Sequence, residues 1–333
     1  MNEHTIGIIG GSGFIGFSLA KHLSSIFDVK ILDVREPMDK SLPFKFCDVR
    51  DYEQVKKALA DVDLVINTAI IQIPLINENK RLAYEVNFLG THNICRAADE
   101  LQNIKGMILA GSWHTVGERE LSGVINEEFG FRPDKVEDRA RLYALSKVAQ
   151  ETIVRFYDEM SNKIFGIIRM GTVLGEGMPK MTAANIFIEK GLKGEPITPY
   201  KHSMYRPMLY VDICDICKAY EKFLKKIING ELPGSGKSIS HIVNVYYPEP
   251  LTIIELAEIV RETIIKYTDG KINPKIEIID KGEPQLFSKE DKYKIKVDVT
   301  NVKKILGLEK LTSPAESIEK IVKKRIQHHY SQM

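Results

Sequence analysis

Thr5-Ile6-Gly7-Ile8-Ile9-Gly10-Gly11-Ser12-Gly13-Phe14-Ile15-Gly16 decides how the rest of the chain is read. The first five residues are rich in β-branched side chains and read as a buried strand. Glycines at 10, 13 and 16 follow at once, and Ile15, Leu19 and Leu23 then recur at helical spacing. A second strand, Val29-Lys30-Ile31-Leu32, ends on Asp33. The order is strand, glycine turn, helix, strand, acid. Each part answers a need of a bound dinucleotide. Gly10 permits a tight turn, Gly13 lets the backbone approach a pyrophosphate, and Gly16 lets the helix pack hard on the strand. The unpaired N–H groups and positive end of the helix, which begins near Phe14 and Ile15, then face the phosphates. Asp33 can accept hydrogen bonds from a ribose diol. Its charge repels a 2′-phosphate and favours NAD over NADP. Arg35 weighs the other way, although its setting also reads as a solvated surface charge.

Strands and helices keep alternating beyond Asp33. Further strands are expected at Phe44-Lys45-Phe46, Leu64-Val65-Ile66-Asn67, Gly106 to Ala110 and Phe165 to Ile168. Helices are expected over Tyr52 to Leu59, Arg81 to Leu101 and Leu142 to Tyr157, the second with an apolar stripe through Leu82, Val86, Leu89 and Ile94. This alternation implies an α/β fold, a doubly wound parallel sheet covered on both faces. Ligands of such sheets lie beyond the carboxyl ends of the strands, where Asp33, Asp48, Asn67, Ser112 and Arg169 fall.

After about residue 173 glycine and proline become frequent, with one helix over Ala183 to Leu192. Ile242 to Val245 reads as another sheet strand. Thr252 and Glu255 form a helix-start pattern, and Thr300 to Leu306 and Pro314 to Arg325 are further helices. The expected division is a dinucleotide-binding Rossmann domain from 1–173 plus about 205–247, and a smaller, irregular substrate domain from about 174–204 plus 248–333. Gly236-Lys237-Ser238 resembles the tail of a phosphate-binding P-loop, but Glu231 stands where its first glycine belongs and the loop follows a helix.

The 333 residues carry 47 basic and 45 acidic side chains, a balance that gives no charge excess to drive nucleic-acid binding. No run of about 18 apolar residues suggests a membrane span, and the immediate entry into a strand leaves no room for a signal peptide. Four cysteines are sparse for a secreted scaffold and fit a reducing, cytoplasmic setting. Cys214 and Cys217 have C-x-x-C spacing without a second pair, so helix packing is expected rather than a metal site.

Tyr143 and Lys147 stand four apart on one expected helix and so share a face. A phenol is a poor base at neutral pH. A nearby ammonium, helped by a nicotinamide charge, lowers its pKa. The phenolate can then take a proton from an alcohol as hydride leaves its carbon. Ser112, after the fifth strand, is placed to orient that alcohol, and Lys147 also to hold the nicotinamide ribose.

At these residues the sequence resembles the extended short-chain dehydrogenase/reductases, in particular the NAD-dependent epimerase/dehydratase branch that acts on nucleotide sugars. Gly10 to Gly16 is similar to the family's glycine motif. Cys47-Asp48-Val49-Arg50-Asp51 resembles its GDxxD segment, whose first Asp meets the adenine, and Asn87-Phe88-Leu89-Gly90-Thr91 its NxxGT segment. Ser112 to Gly117 resembles the segment whose leading hydroxyl bonds the reacting sugar, and Tyr143 and Lys147 resemble the acid/base pair. Phe187 to Thr198 resembles the stretch before the nucleotide-sugar loop, and Arg206-Pro207-Met208-Leu209-Tyr210-Val211-Asp212 resembles RDFxYVDD, whose Arg binds the sugar's diphosphate.

The resemblance implies catalytic Ser112, Tyr143 and Lys147. It implies NAD held by Gly10, Gly13, Phe14, Ile15, Gly16, Asp33, Asp48, Val49 and Asn87 together with Tyr143 and Lys147. Substrate contacts fall to Trp113, His114, Thr172 and Arg206. It further implies a homodimer through a four-helix interface of the 81–101 and 142–157 helices. The implied reaction is epimerisation, at C4 of a UDP-sugar, through a transient ketone, with no metal. The alternative is a net oxidoreductase of the same fold, such as a keto-sugar reductase or a hydroxysteroid- or threonine-type dehydrogenase. A silent nucleotide-binding regulator need not keep Ser112, Tyr143 and Lys147 together.

Several positions depart from the family's pattern. Thr172 stands where an Asn often helps bind diphosphate, and Lys201-His202-Ser203 replaces GDG. Trp113 and His114 replace the Asp-Glu pair of sugar 4,6-dehydratases, which disfavours water elimination. His114 reads either as an extra acid/base or as a histidine packed on the active-site loop, and Trp113 either as a wall for a sugar face or as core.

Overall fold

A computed structural model describes residues 4–233 and 239–330; Gly236-Lys237-Ser238 lies outside the described residues. Among them, a seven-stranded sheet forms the centre. Its strands are β1 (Thr5–Ile9), β2 (Asp28–Asp33), β3 (Phe44–Phe46), β4 (Leu64–Asn67), β5 (Gly106–Ser112), β6 (Ile164–Met170) and β7 (Ile242–Val245). They lie in the spatial order 7-6-5-4-1-2-3, and every pairing is parallel. The reversal of direction between β1 and β4 opens the crevice that such sheets use for ligands.

Alternating side chains send the sheet's apolar residues to two cores. Ile6, Ile8, Ile66 and Ile108 pack on one face with α1 (Phe14–Leu23). Ile9, Val65, Met107 and Leu109 pack on the other with α2 (Tyr52–Leu59). Strands buried on both sides read as continuous apolar runs for this reason. Asp51 caps α2 by accepting from the amides of Glu53 and Gln54, which fixes where β3's exit loop ends.

The expected helix over 81–101 is broken in register. It is built from Lys80–Tyr84, a π-helical turn Glu85–Gly90 and Thr91–Glu100, together α3. The wider turn rotates the remainder of the helix about its axis, so Leu89 is 45% exposed while Ile94 stays buried. The turn also buries Asn87 and sets Gly90 against β3's exit loop, where an added Cβ would lie 2.5 Å from Val49 Cγ2. Helix α4 (Arg141–Met160) packs beside α3.

The later chain holds α5 (Ala183–Leu192), α6 (Ile213–Ile228), α7 (Ile253–Tyr267) and α8 (Pro314–Tyr330). Thr252 and Glu255 close a capping box on α7. Helix α6 packs Tyr220 and Phe223 on the first sheet face before β7 joins the edge beside β6. Cys214 and Cys217 lie on α6, but only one packs as expected: Cys214 is exposed, while burial pushes the Cys217 thiol up to about 12, the state of an inert packing thiol.

No helix among the described residues is long and apolar enough to cross a membrane. None of their His, Cys, Asp and Glu side chains form a group able to hold a metal ion.

Candidate active site

The carboxyl ends of β1, β2, β4, β5 and β6 border a cleft of about 680 Å³. The glycine turn forms one end. Gly10 adopts φ +75°, and its amide donates to the carbonyl of Leu32 at 2.9 Å. A Cβ on Gly16 would sit 2.4 Å from the Gly10 oxygen, so α1 reaches the strand only because that position is bare. A Cβ on Gly13 would meet only the same oxygen, at 3.3 Å, and otherwise occupy the cleft. No side chain caps α1 at Gly13, which leaves its first amides available to a phosphate. Phe14 and Ile15 line the same end.

Asp33 is buried at the end of β2. Its two oxygens accept from the amides of Ser12 and Arg35, each at 3.1 Å, which fixes the carboxylate on the cleft wall. Arg35 itself is exposed. Asp48 and Val49 also line the cleft. Arg50 grips Asp48 with Nη2 at 2.6 Å and Nε at 3.0 Å, and this pairing holds the carboxyl below its ordinary range. These features fit a dinucleotide: a bare cradle at Gly13, an oriented acid for a diol, and uncapped helix amides between them.

The other end carries the chemistry. Ser112 closes β5, and Tyr143 and Lys147 come one turn apart on α4. Burial pushes the Tyr143 phenol up, and the neighbouring Ser112 hydroxyl pulls it back in part. Lys147 is buried, with Nζ donating to Ala110 O at 2.8 Å and Gln150 Oε1 at 3.0 Å. Burial brings its ammonium down to about 7. Its Nζ lies 6.0 Å from the centre of the Tyr143 ring.

Trp113 and His114 follow Ser112 in a single 3₁₀ turn. Trp113 is 1% exposed and packs into the sheet core while also bordering the cleft. Its indole N–H donates to Thr172 Oγ1 at 3.3 Å, so two expected substrate contacts first bind each other. His114 meets Tyr143 edge-on at 5.5 Å between ring centres.

Three expectations need correction. Asn87 does not line the cleft. Buried in the π-helical turn, it accepts from the Ile71 amide at 2.7 Å and donates to the Ile71 carbonyl and Ser146, bracing the loop that does line it. Arg206 does not face the cleft either. Its Nη1 is 2.8 Å from Glu137 Oε1 and 3.8 Å from Glu118 Oε2, since a buried guanidinium needs counter-charges close by. Arg169, at the end of β6, pairs with Glu151 on α4 at 2.9 Å and 2.5 Å and joins the core instead of the site. Sequence reading missed Glu118, Glu137 and Gln150. Glu118 stands four residues after His114, but Gly117 at φ +86° bends the chain there, so the pair is not a helix-face pair.

A profile of the NAD dependent epimerase/dehydratase family matches residues 6–237. A Methanocaldococcus jannaschii protein provisionally named a UDP-glucose 4-epimerase is 29% identical over 225 residues, 64% of this chain and 70% of that protein. Bos taurus sterol-4-alpha-carboxylate 3-dehydrogenase, decarboxylating, is 26% identical over 191 residues, 56% of this chain and 51% of that protein. The Thermus thermophilus UDP-glucose 4-epimerase structure, a complex with NAD, superposes with a TM-score of 0.73 at 23% identity, covering 96% of this chain and 98% of that one. A glycine turn, an oriented acid and a Tyr–Lys pair on one cleft define a nucleotide-dependent enzyme of the short-chain dehydrogenase/reductase type. The chain belongs to the NAD-dependent epimerase/dehydratase family, and NAD is the nucleotide its glycine turn serves.

Proposed function

We propose that this protein is a nucleotide-sugar epimerase that inverts a secondary alcohol, at C4 of a UDP-sugar, through a transient ketone. The observation that carries the reading is the meeting of Ser112, Tyr143 and Lys147 at one end of a cleft whose other end is the glycine turn. Bound NAD supplies the hydride acceptor and returns the hydride. The chain's own residues handle the proton. Ser112 orients the sugar hydroxyl, and Tyr143 takes its proton when the carbon is oxidised and gives it back on reduction. Lys147, anchored on Ala110, stabilises the phenolate through its charge. Dehydration is disfavoured, because neither Trp113 nor His114 is a carboxylate. The nucleotide-sugar assignment draws on the names of the M. jannaschii and T. thermophilus relatives.

The reading extends to assembly and setting. The exposed Tyr84 and Leu89 on α3 and Phe156 and Met160 on α4 are the contact side chains of a homodimer. All four cysteines are unpaired, in keeping with the reducing cytoplasm.

One observation favours a second reading. Arg206, the expected diphosphate ligand, is already paired with Glu137 and Glu118, which suits an alcohol without a diphosphate and net oxidation by NAD. A proton NMR time course with catalytic NAD and a panel of UDP-, GDP- and dTDP-sugars separates the two. An epimer formed without NADH supports the first. No epimer from any sugar, with stoichiometric NADH from an uncharged alcohol, overturns it in favour of the second.

A further inference from the structure

Gln150 is fully buried on α4, three residues after Lys147, and bonds from three segments meet at its carboxamide. Its Oε1 accepts from Lys147 Nζ at 3.0 Å. Its Nε2 donates to Thr91 Oγ1 at 2.9 Å and to the Ala69 carbonyl at 3.3 Å. The amide cannot be turned round. An ammonium only donates, so the oxygen must face Lys147; a carbonyl only accepts, so the nitrogen must face Ala69. Thr91 agrees with both. Its hydroxyl hydrogen goes to the Asn87 carbonyl at 2.8 Å, which leaves its oxygen to accept from Gln150. The Asn87 side chain is fixed in turn by the amide and carbonyl of Ile71, at 2.7 and 3.1 Å. The π-helical turn that buries Asn87 therefore braces the amide that meets the lysine.

We propose that Gln150 is a positioning residue that keeps the Lys147 ammonium charged and aimed at the cleft. Two neutral acceptors hold that ammonium, Ala110 O from β5 and Gln150 Oε1 from its own helix. Burial pulls it down to about 7, with no charged neighbour to offset this. An acceptor bonded to the charged form favours that form, so Gln150 works against burial. An ammonium has three N–H groups. Two are taken, and the third is left for the cleft, which Lys147 borders. The titratable group facing the ammonium is Tyr143, whose ring centre is 6.0 Å from Nζ on the same helix. Thr91 and Asn87 from α3 and Ala69 from the loop after β4 bring no charge. Gln150 itself does not border the cleft, so it acts through Lys147. The inference rests on the proposed role of Lys147 beside Tyr143 and NAD, but not on which substrate is used.

The test needs no substrate. Carbon-13 NMR of the NAD-free full chain, labelled at lysine Cε, follows the Lys147 signal with pH; the signal is identified in each background by its loss in Lys147→Met. Gln150→Leu removes the acceptor, and the Lys147 midpoint should fall by about one unit or more. Gln150→Glu keeps an oxygen there and adds charge, and the midpoint should rise by about one unit or more. Midpoints that coincide with the parent's overturn the proposal, since a glutamine that only fills space would not move them. If Gln150→Leu does not fold, the nearly isosteric Gln150→Glu decides alone. Calorimetry gives a second readout. ADP reaches the glycine turn and Asp33 but lacks the nicotinamide ribose. Gln150→Leu should lose about fivefold or more in NAD affinity and stay within about twofold for ADP, with Gln150→Glu close to the parent on both. Loss on both ligands alike, or on neither, overturns the aiming of Lys147. If the sugar panel yields no epimer while the midpoints still separate, the substrate reading fails and the role of Gln150 stands.

Discussion

Lys147 Nζ donates to the carbonyl oxygen of Ala110 at 2.8 Å, tying the middle of α4 to the strand that ends at Ser112. The bond sets the distance between the helix that carries Tyr143 and the strand that carries Ser112. It also keeps an ammonium in a buried place, with Gln150 as its other acceptor.

That burial makes stability depend on pH. In the folded, NAD-free protein Lys147 loses its proton near pH 7, whereas in the unfolded chain it keeps the proton to its ordinary 10.5. Between these values the unfolded chain holds more protons, so stability rises with pH. The cost of the buried charge is fully present below the folded value and is relieved above it. Thermal unfolding across that range should show the parent protein gaining on Lys147→Met as pH rises. A constant difference in Tm would contradict the assignment.

Tyr143→Phe removes the group that exchanges the alcohol proton without disturbing the glycine turn. Single-turnover rates should fall by about 10²-fold or more. Calorimetric NAD affinity should stay within about twofold, because the phosphate cradle and Asp33 are untouched. Retained turnover would remove Tyr143 from the mechanism.

The glycines of the first turn separate binding from folding. Gly13→Ala places its methyl in the cleft with one protein atom near it, at 3.3 Å. NAD affinity should drop about tenfold or more with Tm almost unchanged. Gly16→Ala drives a methyl to 2.4 Å from the Gly10 oxygen. It should destabilise the fold by about 1–3 kcal/mol, read by urea unfolding without NAD. The opposite pattern would mean that the two positions have exchanged roles.

Leu89 is 45% exposed on α3 and Phe156 is 68% exposed on α4. If a second copy covers them, Leu89→Glu with Phe156→Glu should give a monomer by light scattering where the parent protein gives a dimer. An unchanged mass would place any self-association elsewhere.

The elements that carry their own local signal were legible in the amino-acid order. β1 is an apolar run followed by glycines, and α2 begins one residue after its Asp51 cap. The Tyr143–Lys147 pair lies on one helix, as its spacing implied. The features that escaped depend on partners far away in sequence. Arg169 follows an apolar strand and Arg206 precedes one, yet each turns to a carboxylate supplied by another segment, Glu151 and Glu137. The π-helical turn at Glu85–Gly90 escaped because a shift in backbone hydrogen bonding has no side-chain signature of its own, so the expected stripe ran through it unbroken to Leu89.

The edge strand β7 has a consequence for how the protein is made. It pairs with β6 only after α5 and α6 have intervened, and Glu127 accepts from the Asn244 amide at 2.8 Å to hold it there. A nascent chain that has left the ribosome only as far as α6 therefore carries the whole nucleotide cradle while the β6 backbone lies unpaired along one side. Such an open border invites pairing with another chain. Translation beyond Val245 is what shields it, so a stall within that interval would be more hazardous than one at either end.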